Sequence, residues 1–160
     1  MIVAVLMAVS LVVATFLFHY AVFRWLSGGM AGIPMTAGVR ILLIVLVALM
    51  AHLVEVAVYA GAYALGIAAL ALGSFGGLSL ADPLDYFYFS IVSYTSLGFG
   101  DVFPIGHLRF ITGVEALNGL LLIAWSGSFI YIAMRHLWPW QPCTEPARAA
   151  ADREPGETAS

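Results

Sequence analysis

Charge is what this sequence has least of. Only 9% of its 160 residues are charged, against about a quarter in an ordinary soluble domain. Lysine is absent altogether, and all six basic residues are arginines. A formal charge of -3 scattered over the chain forms no basic face, which excludes nucleic acid as a partner. Cysteine is nearly absent as well. Cys143 alone can form no internal disulfide, so no disulfide framework holds the fold. What fills the chain instead is apolar side chains, 62% of the total, in runs long enough to cross a bilayer.

The first run, Met1 to Phe23, carries no charge and as a helix covers a hydrocarbon core of roughly 30 Å. The first positive charge, Arg24, follows the run instead of preceding it, and Ser27-Gly28-Gly29 is a poor cleavage site. Both features argue for a membrane helix over a secretory signal. Ser27 to Gly38 reads as a loop, after which Arg40 opens a second apolar run extending to about Gly73. That run is longer than a bilayer needs, so its crossing is expected to end near Leu65, with Gly66 or Gly73 as break points. Gly73 to Asp82 reads as an exposed turn. Pro83 to Thr95 then forms a half-helix too short to cross, with Asp82 before it and proline in its first turn. Leu108 to Leu137 is the third long run, and the proline-rich remainder reads as a disordered tail.

Arginine placement orients this layout. Arg24 and Arg40 flank one loop and Arg135, Arg148 and Arg153 follow the last crossing, while Arg109 falls on the opposite side with Asp82, Asp85 and Asp101. The positive-inside rule then puts the N-terminus outside, the C-terminus in the cytoplasm, and the half-helix entering from outside.

The segment Tyr88-Phe89-Ser90-Ile91-Val92-Ser93-Tyr94-Thr95-Ser96-Leu97-Gly98-Phe99-Gly100-Asp101 resembles the pore helix and signature sequence of potassium channels. Its position between two long apolar runs makes the resemblance specific, and it covers about residues 40 to 137. It implies an all-α membrane protein: three transmembrane helices plus a re-entrant pore helix and selectivity filter, the fold of small prokaryotic pore-loop channels with one extra N-terminal helix. The implied organisation is residues 1–26 as that extra helix, 27–39 as a cytoplasmic loop, 40–137 as the pore domain and 138–160 as the tail.

In this reading K+ sheds its water for backbone carbonyls of Ser96, Leu97, Gly98 and Phe99, with Gly100 closing the filter and the Ser96 hydroxyl at the inner mouth. Gly98 and Gly100 allow the backbone angles that aim successive carbonyls to one side. Serine replaces the commoner threonine at 96, and Phe99 replaces a tyrosine whose hydroxyl braces the filter in the family. Tyr88, Thr95 and Asp101 are the expected supports, with a Tyr88 to Asp101 hydrogen bond. A single filter segment per chain requires four copies around one axis. The expected partners are three further copies and membrane lipid in the cell membrane, with K+ as the permeant ion and no cofactor or enzymatic activity. A poorly selective cation pore and a non-conducting subunit are the rival readings.

Gly119 falls where the family's hinge glycine lies, and close helix packing is the alternative role for it. His52 and Glu55, one turn apart near the bilayer midplane, need partners in hydrocarbon. Glu115 and Asn118 of the third run complete the expected intramembrane polar cluster, with the Asn118 amide donating to Glu55. A structural latch, a proton-sensitive gate and a metal site are the three roles open to it, although His52 and Glu55 alone are too few for a metal.

Overall fold

The computed structural model describes residues 1–29 and 32–137. The expectations for the tail, with Cys143, fall outside the described residues. The elements run in the order α1 (Ile2–Gly29), α2 (Ala37–Ala68), β1 (Gly73–Gly77), α3 (Pro83–Tyr94), β2 (Val102–Gly106) and α4 (Leu108–Leu137).

Three of these, α1, α2 and α4, are long and apolar enough to cross a membrane. At 28, 32 and 30 residues they span about 42 to 48 Å, more than the hydrocarbon core, so their ends reach the headgroups or the helices tilt. The first loop is shorter than its Gly and Pro content suggests, because α1 continues to Gly29 and α2 already starts at Ala37. Neither does α2 break at Gly66, which lies inside the helix. A glycine costs a helix only about 1 kcal/mol, and the neighbouring turns outweigh it.

The third helix, α3, is the expected half-helix. Proline occupies its first turn, and the Asp85 carboxylate accepts from the Asp82 N–H at 2.9 Å and the Ala81 N–H at 2.7 Å. These bonds satisfy donors left over at the helix entrance and hold the Asp85 carboxyl below the usual aspartate range.

The segment read as an exposed turn is instead a strand. Strands β1 and β2 pair antiparallel, Gly73 opposite Gly106 and Gly77 opposite Val102. Glycine-rich GSFGG carries almost no strand preference, and the pairing comes from close approach. A Cβ on Gly73 would overlap the Ile105 carbonyl, and one on Gly77 the Asp101 carbonyl. Pro104 fits because a two-stranded sheet has only edges.

Helix α1 packs along α2 and α4 through one face, Ala4, Ala8, Thr15, His19, Phe23 and Leu26, at helical spacing. Its first turns meet Tyr59, Tyr63, Leu108 and Ile111, and its last turns meet Ile44, Ala48, Trp125 and Phe129. Between membrane helices the surrounding lipid is as apolar as the core, so small residues and polar ties decide the association. Ala4 and Ala8 supply the first, and buried His19 and Thr15 the second.

Candidate functional site

Beyond Tyr94 the chain stops being a helix without becoming a strand. The Ser96 N–H donates to the Ser93 carbonyl at 2.9 Å and the Leu97 N–H to the Val92 carbonyl at 3.0 Å, while the Thr95 hydroxyl donates to the Ile91 carbonyl at 2.7 Å. From there φ alternates in sign. Ser96, Gly98 and Gly100 are left-handed, at 58°, 57° and 78°, and Leu97 and Phe99 between them are not. Glycines at 98 and 100 take this conformation freely, whereas Ser96 pays about 1 to 2 kcal/mol for it. The sequence pointed to the two glycines and gave no sign that the Ser96 backbone is left-handed as well.

The far end of this loop is anchored. Tyr88 donates to the Asp101 carboxylate at 2.7 Å, which holds the phenol above its ordinary pKa. The Asp101 carbonyl accepts from the Leu78 N–H at 2.9 Å. Thus Asp101 joins pore helix, loop and hairpin. The mid-loop side chains are open to solvent in a single chain, Leu97 58% and Phe99 64% exposed.

The sequence model of the ion-channel family matches residues 51–136, more than half of the chain, from the middle of α2 through the half-helix and loop to the end of α4. The chain belongs to the ion-channel family. Searches of curated proteins and of solved structures returned no match. With its three crossing helices, the channel is a multi-pass membrane protein whose extra helix, α1, precedes the matched segment.

Behind the channel's loop, the expected single polar cluster is in fact three. Glu55 does not meet Asn118. Its Oε1 lies 2.8 Å from His19 Nδ1, its Oε2 accepts from the Tyr94 hydroxyl at 2.5 Å, and His52 Nδ1 is 3.2 Å away. Asn118 instead donates to Thr15 at 2.9 Å and Tyr59 at 3.1 Å. Glu115 accepts from Ser90 at 2.5 Å and from Tyr63, whose hydroxyl also reaches Thr112 at 3.1 Å. The reason for the correction is α1. It lies against α2 and α4 and brings its own histidine to Glu55, which leaves Asn118 for Thr15. His19 was readable in principle, as the one histidine within an uncharged membrane run. Tyr94 was hidden by its neighbours in an aromatic helix.

Gly119 is a contact point. A Cβ there would overlap the Tyr94 carbonyl and ring, so the glycine lets α4 press against the C-terminal end of α3. Helix α4 runs through it without interruption. At Gly127 a Cβ would meet nothing.

Proposed function

We propose that the channel is a homotetrameric, potassium-selective pore with the filter Ser96-Leu97-Gly98-Phe99-Gly100. The observation that carries this reading is the alternating hand of the backbone at 96 to 100. A chain that alternates left- and right-handed residues turns its carbonyls to one side, and a ring of four such chains replaces the hydration shell of K+. Tyr88 and Asp101 act as the brace that Phe99, without a hydroxyl, does not provide. Thr95 fixes the turn into the filter. The C-terminal end of α3, with the negative end of its dipole, faces the inner mouth and favours a cation there.

Residues 40–137 form the pore domain and α1 is an accessory helix. The N-terminus is outside and the C-terminus cytoplasmic, as arginine placement requires. The channel acts by conduction and not by catalysis, with K+ as permeant ion and no cofactor. Gly119 is the point about which α4 bends, and bending there lifts α4 from Tyr94.

The test is rubidium flux into liposomes with barium block, together with reversal potentials in mixed sodium and potassium. Gly98→Ala is expected to abolish flux while tetramers persist, because the added methyl disfavours the left-handed conformation. Unchanged flux in Gly98→Ala would remove the filter assignment. A reversal potential insensitive to the potassium gradient would favour a poorly selective pore.

A further inference from the structure

Five side chains from four helices close a circle of hydrogen bonds buried between the helices. His19 Nδ1 meets Glu55 Oε1 at 2.8 Å, Glu55 Oε2 meets the Tyr94 hydroxyl at 2.5 Å, and Tyr94 meets His52 Nδ1 at 2.9 Å. His52 Nε2 meets the Ser126 hydroxyl at 2.9 Å, and Ser126 meets His19 Nε2 at 3.1 Å, completing the circle. His19, Glu55 and Tyr94 are fully buried or nearly so, and Ser126 is buried.

Each of the five links needs one hydrogen. Tyr94 and Ser126 carry one each and two neutral imidazoles carry one each, which makes four. The fifth has to come from a protonated Glu55 or from a second proton on one imidazole. Either way the circle then has zero net charge, the arrangement that hydrocarbon favours. Without the fifth proton Glu55 is ionised and both histidines are neutral. The carboxylate still takes Tyr94 and His19, and it holds the His52 hydrogen on Nδ1, 3.2 Å from Glu55 Oε2, so both Nε2 atoms are acceptors and Ser126 can donate to only one of them. The lost link is therefore one that ties α4.

We propose that this circle is a buried proton-binding site, holding one proton beyond an ionised glutamate and two neutral histidines, and that this proton locks α1 and α4 to the pore helix. The groups facing it are His19 from α1, His52 and Tyr59 from α2, Tyr94 from α3 and the Ser126 hydroxyl from α4, with Glu115 of α4 engaged separately by Ser90 and Tyr63. Among the described residues, the ion pairs are those of Glu55 with the two histidines. His52, with 17% of its side chain exposed, is the way out for the proton. His19, His52 and Glu55 lie close enough together for a divalent ion, but every ring nitrogen already has a hydrogen-bond partner. The inner helix is released as pH rises, so alkaline conditions favour opening.

Two readings of the purified channel test this, and only the first rests on conduction. In liposomes, wild-type rubidium flux is expected to rise about fivefold between roughly pH 5 and pH 9, the population shift one buried hydrogen bond supports. Glu55→Gln supplies the fifth hydrogen permanently through its amide and should hold flux at the acid level at every pH. Ser126→Ala removes the α4 links and should hold it at the alkaline level. In infrared difference spectra, alkalinisation of the wild type should remove a carboxylic-acid or imidazolium band that is missing from the Glu55→Gln spectrum. This second reading decides the proton count even in a chain that does not conduct. Superimposable wild-type and Glu55→Gln spectra would overturn the proposal. So would a stoichiometric divalent metal that is retained by the wild type and lost in His19→Gln.

Discussion

Individual side chains at the mouth of the half-helix carry a pH dependence of their own. The Asp85 carboxyl is held low because the Asp82 and Ala81 N–H groups donate to its charged form. A depressed folded-state pKa adds stability that is fully present above the unfolded value of about 4 and is lost as pH falls through the folded one. Thermal melting of the detergent-solubilised channel should therefore show Asp85→Asn less stable than wild type at about pH 7. As pH falls below the unfolded value and through the folded one, the gap should close. A gap that persists there would mean that Asp85 acts through packing instead of charge. The Ser96 backbone makes a related point about single residues, since its left-handed conformation runs against its own preference. It is held by its own N–H bond to the Ser93 carbonyl and by the Leu97 and Gly98 N–H bonds to the Val92 carbonyl just beyond it.

Among the helices, the contact between α3 and α4 decides how the loop is supported from below. Tyr94 ends the pore helix, and its carbonyl and ring sit where a side chain at 119 would be. Gly119→Ala forces these apart, and overpacking of this kind costs about 1 to 3 kcal/mol. A lower melting temperature of the assembled channel is expected for Gly119→Ala, and no loss for Gly127→Ala, where a methyl meets nothing within one chain and alanine favours the helix. Unaltered melting of Gly119→Ala together with altered flux would assign the glycine to bending alone. The hairpin is the other element with a mechanical role. Through the bond from the Leu78 N–H to the Asp101 carbonyl it fixes the outer end of the loop, so the loop is clamped at both ends.

In the proposed tetramer, one chain is an incomplete object. Leu97 and Phe99 project from the loop with more than half of their surface open, and Leu117, Leu120 and Leu121 of α4 are likewise exposed. Apolar groups of this kind in a channel chain are covered by lipid or by further copies, and in the proposed pore a loop side chain beside the ion path would have only copies available. Native mass spectrometry in mild detergent is expected to show four chains. A stable monomer that still conducts would overturn the tetramer.

The three crossings, the half-helix and the glycines of the loop could be read from the chain because each depends on local physics: run length against bilayer thickness, proline in a first turn, a conformation that glycine takes freely. Leu108 to Leu137 and Pro83 to Tyr94 came out within a residue of their observed bounds for that reason. The hairpin did not, because GSFGG pairs through absent side chains, and an absence carries no strand signal. Nor did the partners of Glu55. Which polar group meets which in a membrane depends on how helices are rotated and stacked, and the rotation of α1 is set by Ala4, Ala8 and Phe23 packing on α2 and α4. A histidine 36 positions away from Glu55 in sequence could be brought to 2.8 Å only by that packing.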